Sequence, residues 1–149
     1  MNRPRIYVAS SWRNIDQGMT VEILRREGFE VYDFKNPEGG TGFAWSDIES
    51  DWKAWSATRF TLALDHPIAK RGFRSDMGAL AEADACVLVL PCGRSAHLEL
   101  GYAVGAGKFT AILMLGENEP ELMYRMCNVV TDSYRDLTQA LRRHFGMEG

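Results

Sequence analysis

The dodecapeptide Pro91-Cys92-Gly93-Arg94-Ser95-Ala96-His97-Leu98-Glu99-Leu100-Gly101-Tyr102 follows the most apolar run of the chain. Its glutamate falls in about the first turn of an expected helix. A carboxylate there is kept ionised by the helix dipole and can attack or stabilise an electron-poor carbon. Acidic residues also occupy first turns for dipole complementarity alone, and spacing by itself favours that structural role. Asp76 is expected to open the helix before the apolar run, either as a cap shared with Ser75 or as a proton donor in a pocket that raises its pKa. A glutamate and an aspartate meeting in one crevice form the pair that glycosidic-bond cleavage uses, one as nucleophile and the other as acid. Upstream, Ser10-Ser11-Trp12-Arg13-Asn14 sets two hydroxyls and an arginine near a helix start, where a phosphate or a sugar hydroxyl can be held. The alternative is a serine cap beside a solvated arginine.

Other chemistries lack their residues. Gly101 and Gly107-Lys108 stand one residue too far apart for a phosphate-binding loop, and Phe109 occupies the place of the needed Ser or Thr. Cys92 precedes a helix, but Leu98 stands where a phosphatase loop needs arginine. Ser95 and His97 have no glycine elbow around them. His66, His97 and His144 show no metal spacing, and neither a metal nor a cofactor is expected.

The elements that must position these residues alternate. Residues 5–10 and 29–34 read as buried strands, with a helix carrying Met19, Ile23 and Leu24 between them and Gly28 as its stop. Asn36-Pro37-Glu38-Gly39-Gly40 is a loop, and 44–64 is irregularly helical. A loop over 66–72 precedes a helix over 76–82. Residues 85–90 (Ala-Cys-Val-Leu-Val-Leu) form the central strand, followed by a helix over 95–107 ending at Gly107. Strands over 110–115 and 128–131 and an amphipathic helix over 133–145, with Leu137 and Leu141 on one face, complete the chain. This pattern predicts a single α/β domain over residues 1–149. Its core is a doubly wound, mostly parallel five-stranded sheet with helices on both faces, Rossmann- or flavodoxin-like. Ligands of such sheets sit beyond the carboxyl ends of the strands, after Ala9, Phe34 and Leu90.

A composition with 46% hydrophobic and 25% charged residues excludes disordered and fibrous classes. The net charge of −3, without a basic run, argues against a nucleic-acid partner. No apolar stretch is long enough for a bilayer, and the N-terminus carries no signal-peptide core. Three cysteines without a Cys-x-x-Cys pair fit a reducing compartment, so a cytoplasmic location is expected. Three of the four tryptophans (Trp45, Trp52, Trp55) fall within eleven residues, as core or as a wall for a flat ligand. Trp52 and Trp55 are expected to share a helix face with at least one in the core. Phe43 and Trp45 are the candidates to stack on a base, with Asp47 reaching the edge of that base.

Three segments together resemble the nucleoside 2-deoxyribosyltransferase superfamily, including its deoxynucleoside-monophosphate N-glycosidase branch. They are Ile6-Tyr7-Val8-Ala9-Ser10-Ser11-Trp12-Arg13, Asp76 leading into Ala83-Asp84-Ala85-Cys86-Val87, and Glu99-Leu100-Gly101-Tyr102-Ala103 ending in Gly107-Lys108. The resemblance implies Glu99 as the nucleophile that attacks the anomeric carbon, Asp76 as proton donor to the leaving base, and Tyr7 as the tyrosine that orients nucleophile or sugar. Ser11 and Arg13 match positions at the 5′ end of the nucleotide. Gly93 stands where the family places an aspartate or a serine, with Ser95 one turn later. The family brings a polar residue from a neighbouring subunit, which implies a homodimer or higher homo-oligomer. Glu121 lies in the matching region, and Arg94 or Arg13 is positioned to offset its charge near a phosphate. The partner so implied is a small nucleoside or nucleotide, with the sugar passing to another base or to water. A nicotinamide–ribose glycohydrolase of the NAD type and a non-catalytic nucleotide-sensing module are the alternatives.

Overall fold

The computed structural model describes residues 2–37, 40 and 42–147. Glu38 and Gly39 of the expected loop lie outside them. Five strands run β1 (Arg5–Ala9), β2 (Glu30–Asp33), β3 (Ala85–Leu90), β4 (Phe109–Met114) and β5 (Val129–Thr131). They lie in the order β2-β1-β3-β4-β5, and every pairing is parallel. The helices are α1 (Gln17–Arg26), α2 (Ala57–Ala63), α3 (Pro67–Glu82), α4 (Arg94–Gly105) and α5 (Tyr134–His144). Short 3-10 turns occur at Trp45–Asp47, Trp52–Ala54 and Leu122–Met126. This is the doubly wound α/β arrangement, with the strand order of the flavodoxin-like class.

The alternation of side chains along β1 and β3 divides the core. Ile6, Val8, Val87 and Val89 pack with Val21 and Leu24 of α1 and Leu137 and Leu141 of α5 on one face. Tyr7, Cys86 and Leu88 pack with Leu80 of α3 and Leu100 and Ala103 of α4 on the other. All six residues of β3 are buried, as befits a strand covered on both sides. Burying each leucine contributes roughly 1.5–3 kcal/mol.

Three expectations change. First, 66–72 is no loop: α3 begins at Pro67, and His66 Nδ1 accepts the Ile68 N–H as its cap. Proline at the first helical position gives up only an amide that the helix leaves unpaired, so it starts the helix rather than breaking it. Asp76 therefore lies in mid-helix and caps nothing. Second, Met19 of α1 faces outward, and the buried face is Gln17, Thr20, Val21 and Leu24. The polar members find partners from other elements: Gln17 Nε2 donates to Asp33 Oδ1 at 2.8 Å, although Gln17 Oε1 has no partner among the described residues, and Thr20 Oγ1 lies 2.9 Å from Tyr134 Oη. Third, the stretch 44–64 forms two 3-10 turns and the short helix α2, so Trp52 and Trp55 share no helix. Both are half-buried and neither is core. Among the described residues, no helix is long and apolar enough to cross a membrane.

Candidate active site

The parallel register sets Tyr7 beside Tyr32 on β1 and β2, and their rings stack at 5.2 Å with 18° between planes. Each phenol serves a different carboxylate. The Tyr7 hydroxyl donates to Glu99 Oε2. Tyr32 donates to Asp76 Oδ1 at 2.8 Å. Glu99 comes from the second turn of α4, one turn later than expected, so the helix dipole is not what governs it. Burial pushes its carboxyl up to about 7, against the Tyr7 hydrogen bond, and the nearby Asp76 charge adds to the rise. Burial also raises Asp76, with the Tyr32 hydrogen bond opposing. Tyr7, only 1% exposed, is driven far above the ordinary tyrosine range by burial and then by the Glu99 charge. It is a permanent donor at any working pH.

Glu99 and Asp76 both line a cavity of about 640 Å³ at the carboxyl ends of the strands. The loop after β1 reaches it because Asn14 Nδ2 donates to Pro91 O at 3.0 Å, tying that loop to the end of β3, where the Leu90–Pro91 peptide is cis. Ser10 Oγ donates to Val89 O at 2.9 Å, and Ser10 lines the cavity together with Arg13. Phe43, Trp45 and Asp47 line the opposite side, and Ser95 joins them from the start of α4. Phe43 and Trp45 meet edge to face at 4.7 Å, with Trp55 and Phe60 edge to face behind Trp45.

Four expected residues lie elsewhere. Ser11 Oγ accepts the Arg13 N–H at 3.2 Å, the local capping-type role, and is not in the cavity lining. Gly93 is the N-cap of α4, and with Arg94 it lines a separate shallow cleft beside Cys92, His97 and Leu98. Glu121 is exposed and accepts the Met123 N–H at 3.2 Å, at the head of the last 3-10 turn. Burial pushes the Cys92 thiol up to about 11, so it is no ready thiolate.

Sequence reasoning missed Tyr32, Trp12, Phe34 and the lining role of Trp52. Trp12 and Phe34 pack edge to face at 5.7 Å and face the cavity from the ends of β1 and β2. Their place directly after strand ends was the available signal. Among the described residues, no cluster of His, Cys, Asp and Glu could hold a metal ion.

No family model and no curated protein sequence matches the chain. Solved structures do. A CMP N-glycosidase from Clostridium botulinum aligns with 92% of this chain and 97% of its own, at 17% identity and a TM-score of 0.51. A 2-deoxyribosyltransferase from the psychrotolerant bacterium Bacillus psychrosaccharolyticus aligns over 90% of both chains, at 18% identity and a TM-score of 0.59. The expected likeness to the nucleoside 2-deoxyribosyltransferase superfamily is thus present as a shared fold.

Proposed function

We propose that this protein is a nucleoside 2-deoxyribosyltransferase-like enzyme of one domain. It cleaves the N-glycosidic bond of a (deoxy)nucleoside or nucleotide. The observation that carries this reading is the pair of carboxylates, each held by its own tyrosine, in one cavity walled by aromatic rings. The likeness in fold to a CMP N-glycosidase and a 2-deoxyribosyltransferase supports it.

In the first step a Glu99 carboxylate oxygen attacks the anomeric carbon. The bond to the base breaks, its electron pair moves to the base nitrogen, and Asp76 gives that nitrogen a proton. In the second step another base or water attacks the anomeric carbon, Asp76 takes up the proton, and Glu99 leaves as a carboxylate. Tyr7 orients Glu99. Arg13, Ser10 and Ser95 receive the sugar and its 5′ end, while Trp45, Phe43 and Asp47 receive the base. Ser11, Gly93 and Arg94 support the loops that carry these groups. Glu121 reaches a neighbouring copy in a cytoplasmic homo-oligomer. None of these steps calls for a cofactor.

Incubation with deoxynucleosides, with nucleoside monophosphates and with NAD, each alone and with a second free base, tests the reading. Release of free base or formation of a new nucleoside is expected from the first two sets and its loss in Glu99→Ala, while ligand binding persists. Nicotinamide release from NAD alone moves the assignment to a nicotinamide–ribose glycohydrolase. Binding without turnover on any substrate makes the protein a sensor.

A further inference from the structure

Tyr32 belongs to the floor of tyrosines and carboxylates but not to the cavity lining: it borders a neighbouring groove with Ser75, meets the cavity through Asp76, and has no task assigned by motif or resemblance. Its hydroxyl makes two contacts: Asp76 Oδ1 at 2.8 Å and Ser75 Oγ at 3.0 Å. A tyrosine hydroxyl has one proton, and an ionised carboxylate can only accept. The proton therefore goes to Asp76, and the Tyr32 oxygen accepts from Ser75, giving a one-way chain from Ser75 through Tyr32 to Asp76. The ring itself is fixed by the parallel register with Tyr7 and by their 5.2 Å stack.

We infer that Tyr32 is a positioning residue of the reaction: by donating to Asp76 Oδ1, it fixes the carboxyl so that Oδ2 is the oxygen that gives and takes the proton of the base. This rests on the reading of Asp76 as the acid. When Asp76 has given up its proton, the Tyr32 hydroxyl stabilises the carboxylate that remains, and Ser75 strengthens that donor by polarising it. The arrangement mirrors the Tyr7–Glu99 pair one strand away. The floor therefore treats its two carboxylates alike: each has one oxygen committed to a phenol and one left for chemistry.

The charged and titratable groups that face Asp76 or share its cavity come from several elements. Tyr32 faces it from β2 and opposes the rise caused by burial. Glu99 faces it from α4, and Tyr7 from β1 feels both carboxylates. Arg13 and Asp47 share the cavity. Because the Asp76 charge adds to the rise of Glu99, both carboxyls must be followed.

Tyr32→Phe removes the hydroxyl and keeps the ring, so the stack with Tyr7 survives and folding is spared. Carbon-13 NMR titration of the side-chain carboxyls, assigned with Asp76→Asn and Glu99→Gln, reads the free protein without any substrate. The Asp76 midpoint is expected to move up by about one pH unit in Tyr32→Phe, as loss of a hydrogen bond to the charged form demands. Ser75→Ala should move it in the same direction by less. Steady-state kinetics on the same variant should show kcat lower by about tenfold, KM changed less than about twofold, and the alkaline limb of kcat displaced upward.

An unmoved Asp76 midpoint overturns the proposal, as does a moved midpoint with unchanged kcat and unchanged pH profile. A KM increase with kcat intact overturns it too, since that marks a substrate contact. Absence of base release from the parent protein would remove the proposed reaction. The NMR shift would then still decide, separately, whether Tyr32 governs Asp76.

Discussion

Tyr7 and Tyr32 stand on neighbouring strands joined by backbone hydrogen bonds, whereas Trp45 and Trp52 stand on 3-10 turns that belong to no sheet or long helix. Both regions serve the same cavity, the first through Glu99 and Asp76, yet they are held by different forces. On the floor, the ladder fixes where each phenol lies, and α3 and α4 bring Asp76 and Glu99 down onto them from a packed face. The aromatic side is held by its own side chains. Phe43, Trp55 and Phe60 meet Trp45 edge to face, Arg59 lies 4.6 Å over Trp55, and Trp55 Nε1 donates to Glu49. A floor of this kind suits groups that must stay within tenths of an ångström of the reacting atoms. A side built from turns can adjust to the ligand that it covers. The two regions should therefore respond to mutation in different kinetic constants.

Glu99→Gln probes the floor most deeply. It keeps the shape and the acceptor for Tyr7 but has no nucleophilic oxygen anion, and turnover should fall by at least about a thousandfold. Stability should move the other way. The carboxyl of Glu99 lies at about 7 in the folded chain, above its unfolded value of 4.5. Below pH 4.5 both states hold the proton. As pH rises from 4.5 to 7 the unfolded state releases it first, so folding loses stability, and above 7 that loss is complete. The loss is on the order of 3 kcal/mol. Glu99→Gln should accordingly melt higher than the parent at pH 8 and level with it near pH 4.5. Equal melting curves at pH 8 would mean that the floor carries no such strain.

Asp76→Asn comes next. It leaves the Tyr32 donor an amide oxygen and removes the proton to be given to the base, so kcat should fall by about a hundredfold. Substrates whose leaving group needs no protonation should be cleaved nearly as before. A fall of the same size for those substrates would detach Asp76 from the proton and make it a scaffold.

The different origins of floor and side also explain what the chain discloses before folding. The apolar run that becomes β3 and the strand–helix alternation are written locally, and they lead directly to the parallel sheet and to Glu99 beyond a strand end. That Phe43, Trp45 and Asp47 line the cavity was readable from the aromatic cluster and its place after β2. Tyr32 was not, because its role depends on the register Tyr7↔Tyr32 and on Asp76 arriving from a residue 44 positions away. The start of α3 was hidden because Pro67 and Gly72 resemble breakers, and only the His66 cap shows the proline at a helix start. Met19 misled for a similar reason: apolar spacing counts residues, but Gln17 and Thr20 take the buried face, where Asp33 accepts from the Gln17 amide and the Tyr134 hydroxyl meets Thr20.

Trp45→Ala tests the aromatic side directly. Loss of one stacking surface should raise KM by about tenfold and leave kcat within about threefold. A proportional fall in kcat would mean that the side also aligns the reacting bond, and the division between the two regions would fail. Steady-state kinetics with saturating and limiting substrate separates these outcomes.

The smallest effect is expected where the two regions touch. Gly72 lies in α3, the helix that carries Asp76, and a Cβ there would come within 2.8 Å of Phe43 Cβ and 3.1 Å of Cγ. Something must shift in Gly72→Ala. The floor side of this contact is a 16-residue helix, while Phe43 sits just ahead of a three-residue turn. Phe43 should therefore yield and carry Trp45 with it, raising KM by about two- to threefold. Alanine also gains roughly 0.5–1 kcal/mol over glycine in a helix interior, which offsets the contact strain, so the melting temperature should stay near that of the parent. If kcat falls instead and the Asp76 titration moves, the helix has yielded, and the aromatic side is the stiffer of the two.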